Sequence, residues 1–336
     1  MTLRVAKPGL LSTVQDRGRH GLQHLGIVPC GAMDPVAHAL ANALVGNDPD
    51  AATLEATIIG PELAFGCDAL IALCGAEFDA TLDGHALPRD RPVLARARSR
   101  LVCGRALRGS RAYLGIAGGI ALEPVLGSRS TYLPARFGGL EGRALRAGDT
   151  LPLAPDAAGL AEARYAQLAP GAVRRDGIET VRWSAPPLTL PDREPIVLHA
   201  MEGQHFGLFG AAAQRVFFDA VWRVAPESNR MGFRLGGPSL VADKAGELLS
   251  GPTCLGTVQV PANGAPIALM ADHQTTGGYP KIAEIASADV PRLAQLAPGG
   301  RLHFARCTLE DALELGRAAR ARLEAALRAI SWGYAK

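Results

Sequence analysis

Apolar runs in the first half of the chain are short and are interrupted roughly every 8–12 residues by Gly, Pro or Asp. Runs of that length do not support long helices, but they do support strands joined by tight turns, as in a β-sandwich or barrel. LRVAKPG at the start, ALIALCGAEFDATLDG at 69–84, RLVCGRAL at 100–107 and RAYLGIAGGI at 111–120 read as strands. The tail EFDATLDG ends on Asp83-Gly84, a pair suited to the positive φ of a two-residue hairpin turn. The second half continues in kind, with PIVLHAMEG, RVFFDAVWRVA and GTVQVPANGAPIALMA read as strands, the last folded at PANG. The expected class is mainly β.

Two segments read as helices instead. MDPVAHALANALVGN, residues 33–47, has Asp34 as N-cap, Pro35 at the first helical position and Gly46-Asn47 at its end; Val36, Leu40 and Leu44 share one face. Residues 308–330 form a terminal helix, opened by Thr308 with Asp311 three residues on, close to a capping box. Residues 154–195, rich in Ala, Pro, Gly and Arg, show no sustained period and read as a linker region. With 336 residues, two domains of ordinary size are expected: 1–190 with the linker, and 191–336 with the terminal helix.

Charge and cysteine content narrow the function classes. A net charge of +3 gives no field that would gather nucleic acid. The six cysteines show no CxxC pair, and His20 and His24 have no third ligand nearby, so no metal site is expected. The start lacks a continuous apolar leader, and no stretch reaches the roughly 18 apolar residues of a membrane span, which reads as a cytoplasmic protein with reduced thiols. Lysine is rare, at Lys7, Lys244, Lys281 and Lys336.

GxxxxGK[ST], GxGxxG at a strand–helix junction, GxSxG and HExxH are all absent. Three polar, glycine-dense segments remain, where backbone can approach a ligand closely. STVQDRGRHG (12–21) places Gln15, Asp16, Arg17 and Arg19 in one loop, as half of a ligand site or as an Asp–Arg pair ordering a turn. LGSRSTYLPARFGG (126–139) offers Ser128, Arg129, Ser130 and Thr131 to an anion, or forms a hydrogen-bonded structural loop. ADHQTTGGYPKIAEI (271–285) concentrates His273, Gln274, Thr275, Thr276, Gly277, Gly278, Tyr279 and Lys281 between apolar strands, a composition of sites more than of spacers. Arg230, Arg234 and Gln259 lie nearby in sequence and suit bidentate capture of a planar acid.

QDRGRHG, GAMD with ANALVGN, AYLGIAGGI followed by LGSRSTY, SNRMGFRL, QVPANGAPI and DHQTTGGYPKI, in this order and spacing, closely resemble the family known as allophanate hydrolase subunit 2, KipA-like or biotin-dependent carboxyltransferase, over about residues 1–305. The resemblance implies two cyclophilin-like β-barrel domains. It implies the C subunit of an ATP-dependent 5-oxoprolinase, opening 5-oxoproline to L-glutamate with KipI-like (B) and LamB/YcsF-like (A) subunits, ATP and Mg being used by the complex. Phosphorylating the lactam oxygen makes a poor electrophile reactive, and arginines and loop N–H groups then stabilise developing charge. On this reading Arg230 and Arg234 clamp an anion, His273 with residues 274–278 forms a polar wall, and Asp16 with Arg19 forms a second. A biotin-dependent carboxyltransferase acting on urea or a related amide is the alternative within the family, although no biotin-carrier motif is present. A KipA-type antagonist of a KipI-like kinase inhibitor is the alternative outside catalysis. The chain departs from the family pattern at Asn229 and Phe233, where Asp and Tyr are common, and at Gly251, where Glu is expected.

Overall fold

A computed structural model describes residues 1–168, 171–242 and 248–334; Lys244 and Lys336 lie outside the described residues. The chain divides into two compact units. The first comprises Met1–Arg19, Asp34–Leu190 and Arg322–Lys336, the second His20–Met33 and Pro191–Ala321. The main division thus falls between Leu190 and Pro191, with a short early segment assigned to the second unit and the end of the terminal helix to the first.

The first unit has a six-stranded sheet and a seven-stranded sheet with one shared core. Alternation sets this up: in Thr2–Lys7 only Leu3 and Val5 are buried, and they meet Leu63, Phe65, Leu101 and Leu151 of the same sheet. Ile71, Leu73, Leu114 and Leu54 from the second sheet join the same cluster. The Asp83-Gly84 hairpin forms as read, with φ of 52° and 84° at its two turn residues and Thr81–Leu82 paired to His85–Ala86. Helix α1, Pro35–Leu44, starts where Asp34 accepts from the backbone N–H groups of Val36 and Ala37 at 3.2 and 3.0 Å. Leu40 and Leu44 are buried, and Val36 half-buried.

The segment read as a linker is instead structured. It contains helix α2, Ala157–Gln167, and a hairpin of Ala172–Arg175 with Ile178–Val181 that extends the seven-stranded sheet by pairing onto Val93–Ala95. Few of its residues are large and apolar, so the pattern is faint; Ala157, Ala161, Ile178 and Val181 are buried, and exposed ion pairs add to the attachment. Arg96 reaches Asp68 at 2.8 Å, Glu179 of the hairpin at 2.7 Å and Glu162 of α2 at 3.3 Å.

The second unit closes as a seven-stranded barrel in the order Ile196–Glu202, Lys281–Ile285, Thr257–Gln259, Ile267–Leu269, Gly232–Gly236, Val221–Val224, Arg301–Arg306. The last strand runs parallel to the first and shuts the ring. Its core gathers Leu198, Phe217, Trp222, Phe233, Val258 and Phe304, with the Phe217 and Phe304 rings stacked at 4.5 Å. RVFFDAVWRVA is not one strand: helix α3, Ala211–Asp219, precedes the strand Val221–Val224. Its aromatic pair, Phe217 and Phe218, is buried from a helix, and aromatic content alone gave the strand reading. Helix α4 is Val290–Ala294 and helix α5 Leu309–Tyr334. At the start of α5 the backbone N–H of Thr308 donates to Asp311 at 2.9 Å and that of Asp311 to the Thr308 hydroxyl at 3.1 Å, the reciprocal cap read from sequence. No described helix is long and apolar enough to cross a membrane.

One buried carboxyl in the first unit makes stability depend on pH. Asp90 is 3% exposed and pairs with the Arg89 Nε at 2.9 Å, yet burial pushes its pKa up to about 6. A carboxyl raised in the folded state contributes stability below its unfolded value, near 4, and loses it as pH rises toward 6. Asp90→Asn should therefore gain on the wild type between those pH values, by up to about 3 kcal/mol in urea unfolding. A difference between the two proteins that is flat with pH would contradict this.

Candidate functional site

The barrel strand Lys281–Ile285 carries a bulge against Thr257–Gln259. Thr257 lies opposite Glu284 and Val258 opposite Ala283, but Gln259 lies opposite Lys281, leaving Ile282 as the extra residue. Val258 and Ala283 are fully buried in the barrel core. The pleat therefore sends Thr257 and Gln259 to the other face, and with them their partners Glu284 and Lys281. In an unbroken strand, residues three apart would face opposite ways. The bulge brings an ammonium and a carboxyl onto one surface.

The glycine loop lies over this surface. Gly251–Pro252 pairs with Thr276–Gly277, the Thr253 N–H donates to the Thr275 carbonyl at 3.0 Å, and its hydroxyl donates to the Gln274 carbonyl. The Gln274 amide donates to Gln259 Oε1 at 3.2 Å, while Gln259 Nε2, in a residue only 1% exposed, has no partner. Gly277 gives that nitrogen room, since a Cβ would lie 2.4 Å from it and the Gln259 side chain would have to shift. Lys281 is also buried; its Nζ donates to Gln204 Oε1 at 3.4 Å, and its backbone N–H to His205 Nδ1 at 3.2 Å. Among the described residues no carboxylate lies within ion-pair distance of Lys281 Nζ. A Cβ at Gly251, the position where a Glu was expected, would sit 3.3 Å from that nitrogen, a tight contact that places the glycine directly against the ammonium.

Beside this patch, Arg230 and Asp272 form a buried two-pronged pair, Nε to Oδ2 at 3.0 Å and Nη2 to Oδ1 at 2.9 Å, with Nη2 also donating to the Gly31 carbonyl at 2.6 Å. Arg230 is thus committed to holding the base of the loop. His273 follows Asp272; its ring lies against the carbonyls of Met270, at 2.7 Å from Nδ1, and Thr253. Burial nevertheless holds its pKa below the ordinary histidine value, which favours the neutral ring. Arg234 is not beside Arg230: it projects from a strand whose flanking Phe233 and Leu235 point into the core, and it lines a shallow surface hollow with Glu227 and Asn263. Thr276, Gly278 and Tyr279 are exposed or half-exposed. Asn229 accepts from the Met231 N–H at 2.8 Å, a turn role that Asp would fill equally, and Phe233 packs in the core.

In the first unit the two other segments meet. Asp16 Oδ1 accepts from Ser130 Oγ at 2.5 Å, Ser128 Oγ at 2.6 Å and the Gly18 N–H at 2.8 Å, and Oδ2 accepts from the Arg129 N–H at 2.5 Å. Burial raises the Asp16 pKa, but these four bonds outweigh it and hold the carboxyl below its usual range. Arg19 donates to the Ser130 carbonyl at 2.5 Å and stacks over Phe137, and its Nη1 is buried without a partner. The Arg129 side chain donates to the Leu122 carbonyl at 2.6 Å. Gln15 donates to Thr13 and to the Thr131 carbonyl. Asp16 orders two loops through serine hydroxyls and backbone N–H groups, in keeping with the hydrogen-bonded structural loop read as the alternative for 126–139, and not through the Asp–Arg pair read as the alternative for 12–21.

Glu284, Thr257, Gln204 and Asp272 were not singled out from sequence. Asp272 is the one with a signal, as the acid preceding HQTTGG. Glu284 had none, because its orientation depends on the bulge.

Residues 25–306 match the carboxyltransferase domain family, subdomains A and B. The chain belongs to that family. Its relatives include the C subunit of 5-oxoprolinase from Escherichia coli, 41% identical over 93% of each chain, and that from Haemophilus influenzae, 36% identical over 91% of each. Among solved structures, the K. lactis urea amidolyase superposes with a TM-score of 0.84 at 28% identity; this carboxyltransferase-family chain aligns over 97% of its own length and spans about 20% of that enzyme.

Proposed function

We propose that this chain is the C subunit of an ATP-dependent 5-oxoprolinase, opening 5-oxoproline to L-glutamate in a cytoplasmic complex with KipI-like (B) and LamB/YcsF-like (A) subunits. The observation that carries this reading is the near-complete, end-to-end likeness to two bacterial proteins bearing that name. The Lys281 surface suits a small acid amide. A buried ammonium without a close ion-pair partner among the described residues attracts a carboxylate, and the unpartnered Gln259 Nε2 is a donor for an amide carbonyl. Mg and ATP are assigned to the complex, and no step proposed for this chain is routed through them.

The urea carboxyltransferase alternative draws on the urea amidolyase likeness, but this chain spans only about 20% of that enzyme. Purified with both partner proteins, the chain should support ADP release that requires 5-oxoproline and is lost when the chain is omitted. A stable complex in which 5-oxoproline does not stimulate turnover would remove the reading in favour of carboxyl transfer or regulation.

A further inference from the structure

Glu284 shares a barrel surface with Lys281 and Gln259, three residues along from the lysine, because of the bulge at Ile282. One of its oxygens, Oε2, accepts from the Thr257 hydroxyl at 2.7 Å, and no arginine or lysine lies within ion-pair distance of it among the described residues. Its neighbours are Thr257 from one flanking strand and Met201, its register partner, from the other. Lys281, on its own strand, is the charged group that acts on it, and His205 is the titratable group next to Lys281. A half-buried carboxyl with one hydroxyl partner, near a buried ammonium that has no carboxylate within ion-pair distance among the described residues and beside an unpartnered amide donor, is an arrangement of a working site rather than of a structural ion pair.

We propose that Glu284 is a catalytic residue of this surface, the acid that protonates the lactam nitrogen as the ring opens, with Lys281 holding the substrate carboxylate and Gln259 Nε2 its carbonyl oxygen. This rests on the 5-oxoprolinase reading. Water oxygen bonds to the lactam carbonyl carbon, the carbon–nitrogen bond breaks with its electron pair passing to nitrogen, and the carbonyl re-forms as the new carboxyl group. Nitrogen takes the Glu284 proton, and the proton released by the added water returns to the carboxylate. Burial supports the role by pushing the Glu284 pKa above the ordinary glutamate value, against the opposing pull of the Thr257 bond and of Lys281.

The test uses the complete complex of all three proteins and follows lactam-dependent ADP release against pH. Glu284→Gln keeps the bond to Thr257 and should lower kcat on the order of a hundredfold with KM for 5-oxoproline nearly unchanged. The wild type should show an alkaline fall in rate as Glu284 loses its proton, and Glu284→Gln should abolish it. Thr257→Val, which removes the bond favouring the ionised carboxylate, should move that alkaline limb to higher pH while leaving the acid in place. A Glu284→Gln complex with wild-type kcat and pH profile, or a Thr257→Val limb that does not move, would overturn the assignment. A wild-type complex with no lactam-dependent turnover would instead overturn the 5-oxoprolinase reading.

Discussion

Arg230→Ala should lower the stability of the protein by about 3–5 kcal/mol, read as a drop in the urea midpoint. The argument is one of asymmetry. Arg230 and Asp272 are both nearly inaccessible, and each oxygen of the carboxylate is matched to a guanidinium nitrogen. Removing the arginine leaves Asp272 ionised and buried without its partner, which costs more than the pair itself contributes. A double replacement, Arg230→Met with Asp272→Leu, should therefore recover most of the loss, because neither charge is then stranded. The carbonyl of Gly31 would also lose its donor, and the Asp272 N–H bonds to the Arg230 carbonyl, so the change should loosen the turn that leads into His273. If Arg230→Ala left the midpoint unmoved while weakening substrate binding, Arg230 would be an anion clamp and the structural role would be wrong.

Asp16→Ala should cost on the order of 4 kcal/mol, since two hydroxyls and two backbone N–H groups lose a charged acceptor at once. The same group sets a pH signature. Its folded pKa lies below the unfolded value, so its contribution is present above about pH 4 and fades as pH falls through the folded pKa. Asp16→Ala should thus lie well below the wild type at pH 7, and the gap should narrow in acid. The activity remaining per folded molecule distinguishes the two readings of this loop. A variant that stays folded to the wild-type degree and yet loses turnover would make Asp16 a chemical participant instead of a latch.

Local rules carried the reading of the fold a long way. Asp83-Gly84, the Asp34 cap and the Thr308–Asp311 box each concern residues close together in the chain, where stereochemistry and hydrogen bonding fix the outcome without help from the rest of it. The mainly β class followed from the spacing of breakers for the same reason. What failed was attachment through partners distant in sequence. Ala157 and Ile178 join the core of the first unit, the hairpin pairs onto Val93–Ala95, and Arg96 reaches Glu162 and Glu179 from 66 and 83 residues earlier; no periodicity announces such partners. Arg230 and Arg234 show the same limit at the site. Their spacing suggested a shared clamp, but Arg230 precedes the strand and turns toward Asp272, whereas Arg234 lies within it and faces outward. Gln259 and Lys281 were recognisable as chemistry-bearing residues, yet their opposition across a ladder, and the presence of Glu284 beside them, are facts of register.

The bulge at Ile282 also bears on how such a surface is inherited. Lys281 and Glu284 are held in place by what they face, Gln259 and Thr257, and not by the interval between them along their own strand. A strand lacking Ile282 would form an unbroken ladder with the same pairings, and the lysine and the glutamate, then two positions apart, would still share a face. The loss would fall on the core, where the fully buried Ile282 side chain packs. One surface is therefore compatible with two strand lengths, and a descendant could shorten the strand by a single codon, refill the vacated volume and keep its chemistry. The unit that evolution has to preserve here is a pair of facing partners, which a gap in an alignment can cross without disturbing anything that reacts.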